Sequence, residues 1–307
     1  MGNVLPKPLR GIVPPMITPL AGPDTLDLAG LERLVEHILS GGVDGLFILG
    51  TTGEAPALSY RLRRELVAHT CRLVNGRVPV LVGITDCSQS GSVEVACAAA
   101  NAGAGALVLA PPYYFGASQA ELTGYFERLI AQLPLPVFLY NQPGNTRHVI
   151  GTEMVRRLAD LPAVLGVKDS SLDMIYFHKL VRLFNDRPEF TLLVGPEELM
   201  VEAVLLGGNG GMCGGANIYP NLYVDAYRAA AAGDLELANR LHRRIIDISA
   251  TVYRVAQDES GYLRGLKCAV SLKGICGDFM AEPMRSFGEA DRAEVRRRMI
   301  AVDLLEA

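Results

Sequence analysis

Residues 137–197 read VFLYN, QPGNTRHVIG, TEMVRRLADL, PA, VLGVK, DSSL, DMIYFHKLVRLF, NDRPEF, TLLV and GPE. Three apolar runs (137–141, 164–168 and 191–194) alternate with two stretches (152–161 and 173–184) whose apolar residues recur at helical spacing. Short apolar runs bounded by Gly, Pro and Asp read as buried strands, and the longer stretches read as amphipathic helices. Strands joined by helix-length connections run parallel, which makes this region β-α-β-α-β.

The same alternation extends in both directions. Further strands are predicted at 11–17, 44–49, 78–84, 106–110 and 210–214, and further helices at 28–39, 59–74, 91–102, 119–133, 198–206 and 220–231. The first six strands are apolar on both alternations, as parallel strands covered by helices should be. Eight consecutive units predict an α/β fold of the closed (β/α)8 TIM-barrel type. An open doubly wound sheet would want a glycine fingerprint after the first strand, where Pro14, Pro15 and Pro19 stand instead. Beyond 234 the alternation stops, and 235–257, 261–274 and 291–305 read as helical. The expected organisation is a barrel over 1–234 with a C-terminal helical extension over 235–307 packed on it.

The 307 residues are 50% apolar and 20% charged, which excludes a disordered chain. A net charge of −4 gives no electrostatic reason to expect a nucleic-acid or anionic-membrane partner. No apolar run reaches the roughly 18 residues of a spanning helix. Residues 1–10 lack a secretory apolar region, so a cytoplasmic home is expected. The six cysteines show no paired spacing and the five histidines form no metal-binding cluster, so neither a disulfide frame nor a histidine-rich metal site is expected. Only five of the 29 basic residues are lysines (7, 168, 179, 267 and 273), so lysine chemistry has few candidates.

In a barrel, function gathers where strands run into βα loops. Lys168 ends an apolar strand and would point into the mouth, part-shielded from water. An amine poised there attacks a carbonyl and forms a Schiff base whose iminium is an electron sink; the plain alternative is a rim salt bridge with Asp169. Tyr140 ends the preceding strand, where a phenol relays protons or merely plugs the mouth. Gly50-Thr51-Thr52-Gly53-Glu54 combines hydroxyls with exposed backbone N–H groups, suiting a small carboxylate or serving only as a turn. Gly195 ends strand seven. Glu197 beyond it either accepts from substrate hydroxyls or starts the next helix at its positive end. The glycine run 207–215 contains Met212 and completes no phosphate-binding motif; it lets backbone approach a ligand closely.

Gly50-Thr51-Thr52-Gly53-Glu54, Pro112-Tyr113-Tyr114, Tyr140-Asn141-x-Pro143 and Gly166-Val167-Lys168-Asp169 occur in this order at successive strand ends. Together they resemble the dihydrodipicolinate synthase/N-acetylneuraminate lyase family of class I aldolases, over nearly the whole chain. The resemblance implies a barrel with a C-terminal helical region and a homotetramer built as a dimer of dimers. It implies that Lys168 forms the Schiff base with pyruvate or another 2-keto acid and that Tyr140 relays protons. Thr51 and Thr52 would hold the keto-acid carboxylate. Tyr114 would be offered across a dimer interface into the neighbouring site, and the backbone carbonyl of Met212 would face the keto acid. No metal and no organic cofactor is implied.

One departure bears on the aldehyde partner. Dihydrodipicolinate synthases typically carry an arginine five residues after the tyrosine, where this chain has Asn145. Losing a bidentate carboxylate clamp suits a neutral, hydroxylated aldehyde, so a 2-keto-3-deoxy sugar acid or related hydroxy-keto acid is the leading expectation. Position 51 is threonine, which departs from the Gly-Ser-Thr-Gly-Glu form of N-acetylneuraminate lyases. Dihydrodipicolinate synthase itself, a keto-acid dehydratase working through the same imine, and a non-catalytic keto-acid-binding relative are the alternatives.

Overall fold

In the computed structural model, which describes residues 5–256, 258 and 260–306, the eight apolar runs form one parallel sheet. Its strands are β1 (Gly11–Ile12), β2 (Leu46–Ile48), β3 (Val80–Gly83), β4 (Ala106–Leu109), β5 (Val137–Asn141), β6 (Val164–Asp169), β7 (Thr191–Val194) and β8 (Gly210–Gly211). Hydrogen bonding runs from β2 in sequence order to β8 and from β8 to β1. A parallel bridge from Pro15 to Phe47 closes the ring. Phe47 N donates to Pro14 O (2.9 Å), and Met16 N donates to Phe47 O (2.8 Å).

The first and last strands are shorter than predicted. Prolines 14 and 15 have no N–H for a ladder, and a 3-10 turn at Gly214–Asn217 follows β8. Asn217 replaces part of the missing ladder, donating to Pro15 O (2.9 Å) and accepting from Ile17 N (3.0 Å).

Inward-facing side chains fill the ring. Val13, Phe47, Leu81, Ala106, Val108, Phe138, Tyr140, Leu165, Leu193 and Met212 form one buried cluster, with Leu5 and Leu9 among them. Outward-facing residues such as Val82, Leu107, Leu139 and Val167 belong to a second cluster shared with the helices. One irregularity breaks the alternation. Val137 pairs with Val164, but Phe138 pairs with Gly166, so Leu165 is an extra residue in β6. The bulge flips the faces beyond it. Without it Lys168 would share the outward face of Val164; with it Lys168 pairs with inward-facing Tyr140. Gly166 fits this crossing because a Cβ there would lie 2.2 Å from Thr191 O.

The eight helices after the strands are α1 (Leu28–Ser40), α2 (Tyr60–Val74), α3 (Gln89–Asn101), α4 (Gln119–Ile130), α5 (Thr152–Leu158), α6 (Met174–Leu183), α7 (Met200–Leu205) and α8 (Pro220–Ala231). Asp27, Ser59, Ser88, Ser118 and Asp173 cap α1, α2, α3, α4 and α6 with side-chain oxygens. Three helices follow: α9 (Leu235–Thr251), α10 (Gly261–Leu272) and α11 (Glu289–Ala301). The predicted helix 235–257 ends early in a 3-10 turn, Val252–Arg254, and its predicted last residue, Gln257, lies outside the described residues. Ile245, Ile248, Tyr253, Leu266, Val270, Val295 and Met299 share the outer apolar cluster with α1–α8, so the tail and the barrel bury one continuous surface.

Three small elements lie outside the predicted ones: a hairpin of Leu20–Gly22 with Thr25–Leu26, a 3-10 turn, Ala55–Ala57, and a helical turn, Pro143–Thr146. All six cysteines are free.

Candidate active site

Lys168 is 3% exposed and enters the ring of inward side chains from β6. Its Nζ lies 4.2 Å from the centroid of the Tyr140 ring and 4.8 Å from that of Phe47, which meet edge to face at 6.3 Å. Two aromatic faces thus hold the amine by cation–π attraction. Among the described residues no carboxylate pairs with it. Asp169 points to the other side of the strand, accepting from Asn141 Nδ2 (2.8 Å) and the Ser171 hydroxyl (3.0 Å). The rim salt bridge that was the plain alternative for Lys168 is therefore not formed. Burial raises the Asp169 carboxyl, against those hydrogen bonds.

Tyr140 is buried, which pushes its phenol up. The charge of Lys168 and hydrogen bonds with Thr51, Ser170 and Lys168 outweigh that burial and hold it below the usual tyrosine range. Its hydroxyl meets Thr51 Oγ1 at 3.4 Å, and Asn145 Nδ2 donates to the same Thr51 oxygen at 3.2 Å. Asn145 reaches it from the turn Pro143–Thr146, which shapes the loop after β5. The structure therefore brings Lys168, Tyr140, Thr51 and Asn145 together at the ends of β6, β5 and β2.

Gly195 lies against them. A Cβ there would stand 1.9 Å from Ser170 Oγ and 3.3 Å from Lys168 Cε, so only glycine leaves both side chains in place. Met212 is buried in the cluster that holds Tyr140 and Phe47. Thr52 Oγ1 lies 3.4 Å from the Tyr262 hydroxyl on α10.

Of the two readings of Glu197, the structure forms the helix start rather than the substrate contact: the residue opens a 3-10 turn, Glu197–Leu199, with Glu198 beside it in the first turn. Its Oε1 accepts from Tyr223 (2.7 Å) and Tyr253 (3.0 Å), and its Oε2 accepts from Gly215 N (2.7 Å). With both oxygens engaged by protein donors and the side chain buried, Glu197 braces the glycine loop rather than meeting a substrate hydroxyl. Burial pushes its carboxyl up to about 7, helped by nearby Glu198 and opposed by those three hydrogen bonds. Tyr114 is 74% exposed, edge to face with Phe115 at 4.9 Å, and is not part of the single chain's own cluster.

Four contributors were missed. Phe47 and Ser170 lie beside recognised residues and have only position to announce them. Tyr262 and Lys267 come from the tail. Lys267 is buried with Glu54 in an ion pair of 2.5 Å, and Glu54 also accepts from Ala281 N (2.7 Å). Burial, opposed by the Glu54 charge and hydrogen bond, holds the Lys267 ammonium below the usual lysine range. No group of three or more metal-ligating side chains is present among the described residues, and none of their helices is long and apolar enough to cross a membrane.

Residues 8–301 match the dihydrodipicolinate synthetase family. The chain belongs to that family. It is accordingly a lyase of the class I aldolase type, and its solved and curated relatives bracket the reaction. A dihydrodipicolinate synthase structure from Bacteroides thetaiotaomicron is 50% identical and superposes with a TM-score of 0.94 over 96% of this chain and 99% of that one. YagE, a prophage protein of Escherichia coli K12 in the same family, solved in complex with pyruvate, is 29% identical with a TM-score of 0.90 over 96% and 99%. A probable 2-dehydro-3-deoxy-D-pentonate aldolase of Escherichia coli K12 is 32% identical across 80% of this chain and 82% of its own length.

Proposed function

We propose that the chain makes or breaks a carbon–carbon bond between pyruvate and a neutral, hydroxylated aldehyde, so that a 2-keto-3-deoxy sugar acid or related hydroxy-keto acid is the joined form. The carrying observation is the Lys168 amine, free of any carboxylate partner among the described residues, stacked on Tyr140 with the Tyr140 hydroxyl next to Thr51.

Thr51 and Thr52 hold the keto-acid carboxylate. Lys168 adds to the C2 ketone, and loss of water from the carbinolamine gives an iminium. Tyr140 supplies the proton that leaves with the water and is left as the phenolate. In cleavage, that phenolate takes the C4 hydroxyl proton and the C3–C4 bond breaks. The aldehyde departs, and the electron pair collapses into the iminium as an enamine. Protonation at C3 and hydrolysis return pyruvate and the amine.

Asn145 offers an amide rather than a guanidinium beside Thr51, which favours a hydroxylated partner over a carboxylated one. In an assembly of copies, exposed Tyr114 serves the neighbouring site. The second reading, condensation of pyruvate with aspartate semialdehyde, is favoured by the 50% identity to the Bacteroides synthase.

The test is borohydride reduction with pyruvate, read by intact mass and peptide mapping. A reduced adduct on Lys168, absent in Lys168→Ala, is expected; no adduct at saturating pyruvate overturns the imine. Consumption of sugar-derived aldehydes but not of aspartate semialdehyde is then expected, and the reverse pattern selects the second reading.

A further inference from the structure

The loop that carries Thr51 and Thr52 is flanked by two strained residues. Leu49 and Glu54 both adopt left-handed backbone conformations, with φ 57° at each. Neither is glycine, and a bulky residue such as leucine is disfavoured there, so surrounding contacts must hold the loop in shape.

Three of those contacts come from the tail. Glu54 Oε1 pairs with Lys267 Nζ at 2.5 Å, and Glu54 Oε2 accepts from Ala281 N at 2.7 Å. Both side chains of the pair are 1% exposed. Thr52 meets the Tyr262 hydroxyl at 3.4 Å. Lys267 and Tyr262 both stand on α10, five residues apart, roughly 7.5 Å along the axis. From the barrel side, Thr18 Oγ1 donates to Gly53 O at 2.7 Å. Residues 52, 53 and 54 are thus each tied to a different point. Such a buried pair is weak evidence for added stability, and a stronger role for it is to select one conformation.

We infer that Lys267 is a positioning residue for keto-acid binding: through Glu54 it fixes the backbone that presents Thr51 and Thr52 to the carboxylate, which makes α10 part of the site. The inference rests on the proposed keto-acid reading. It assigns Lys267 no contact with substrate and no part in the imine. A loop released from Glu54 would still allow Lys168 to react, but it would hold the carboxylate poorly.

The experiment is the pyruvate dependence of borohydride trapping on full-length protein, giving a half-saturating concentration and a saturating rate of adduct formation. Lys267→Met leaves the buried Glu54 carboxyl without its cationic partner, and is expected to lower Tm. The double variant Glu54→Gln/Lys267→Met removes both charges and is expected to regain Tm. In both, the half-saturating pyruvate concentration should rise about tenfold or more while the saturating rate stays within about threefold. Tyr262→Phe, which deletes one hydroxyl, should raise the midpoint about threefold with Tm unchanged.

A folded double variant whose midpoint returns to the wild-type value along with its Tm would reduce the pair to a structural role and overturn the inference. So would a loss of saturating rate with no change in midpoint. Should Lys267→Met fail to fold, the double variant and Tyr262→Phe decide alone. Absence of adduct in the wild type overturns the imine reading and this inference with it; a wild-type adduct with unmoved midpoints overturns this inference only.

Discussion

Two lysines are buried in this protein, and their surroundings differ in kind. Lys168, 3% exposed, stacks on two aromatic rings and forms no ion pair among the described residues. Lys267, 1% exposed, faces the Glu54 carboxylate at 2.5 Å. A cation buried with a matched anion is committed to structure, because removing either partner strands the other. An amine buried against ring faces keeps its lone pair available on deprotonation and gives up only a cation–π contact when it reacts. On the proposed reading, burial alone does not mark a reactive lysine; the identity of what it is buried against does.

The comparison is sharpest when one substitution is made at both places. Lys168→Met should reduce turnover by at least about 10³-fold while leaving Tm unchanged or raised, since it removes a buried amine that has no anionic partner. Lys267→Met should cost about 3–5 kcal/mol of unfolding free energy, measured by denaturant titration, and leave the Lys168 adduct obtainable at high pyruvate. If the two outcomes were exchanged, the contrast would fail.

Tyr140→Phe keeps the ring under Lys168 and removes the hydroxyl next to Thr51. Single-turnover imine formation should slow by about 10²-fold or more, at unchanged thermal stability. An unchanged rate would make Tyr140 only an aromatic support, like Phe47.

A smaller effect separates the site from its bracing. The Glu197 carboxyl stands at about 7 in the folded protein against an ordinary value of 4.5. Between those values the folded state holds a proton that the unfolded state has released, so stability should fall as pH rises from 4.5 to 7. The contribution is on the order of 3 kcal/mol at most. Glu197→Gln should flatten this part of the Tm–pH curve; a curve that keeps its slope would remove Glu197 as the cause.

The barrel was legible because its signal is local. Runs such as 137–141 and 191–194 appear as strands with the predicted bounds, since a few consecutive buried residues suffice to show them. Lys168 and Tyr140 could be singled out because both end such runs. The strand ends at 11–17 and 210–214 were overdrawn, because an apolar run cannot report that proline lacks a donor or that glycines have begun a turn. The tail's share of the site was not legible: Lys267 and Glu54 are 213 residues apart. In sequence, Lys267 is one more cation in a helical stretch. What Glu197 braces was not legible for a similar reason, as its tyrosine partners lie 26 and 56 residues away.

The extra residue at Leu165 matters for how related chains are compared. The side of the sheet on which Lys168 emerges depends on the number of residues between Val164 and Lys168 as well as on the lysine itself. A homologue could retain every motif named above and yet, with one residue deleted at 164 or 165, direct its amine into the layer beneath the helices. A gap in that short segment of an alignment is therefore a better warning of lost catalysis than many substitutions elsewhere, and designers grafting this strand into another barrel must carry its length as well as its letters.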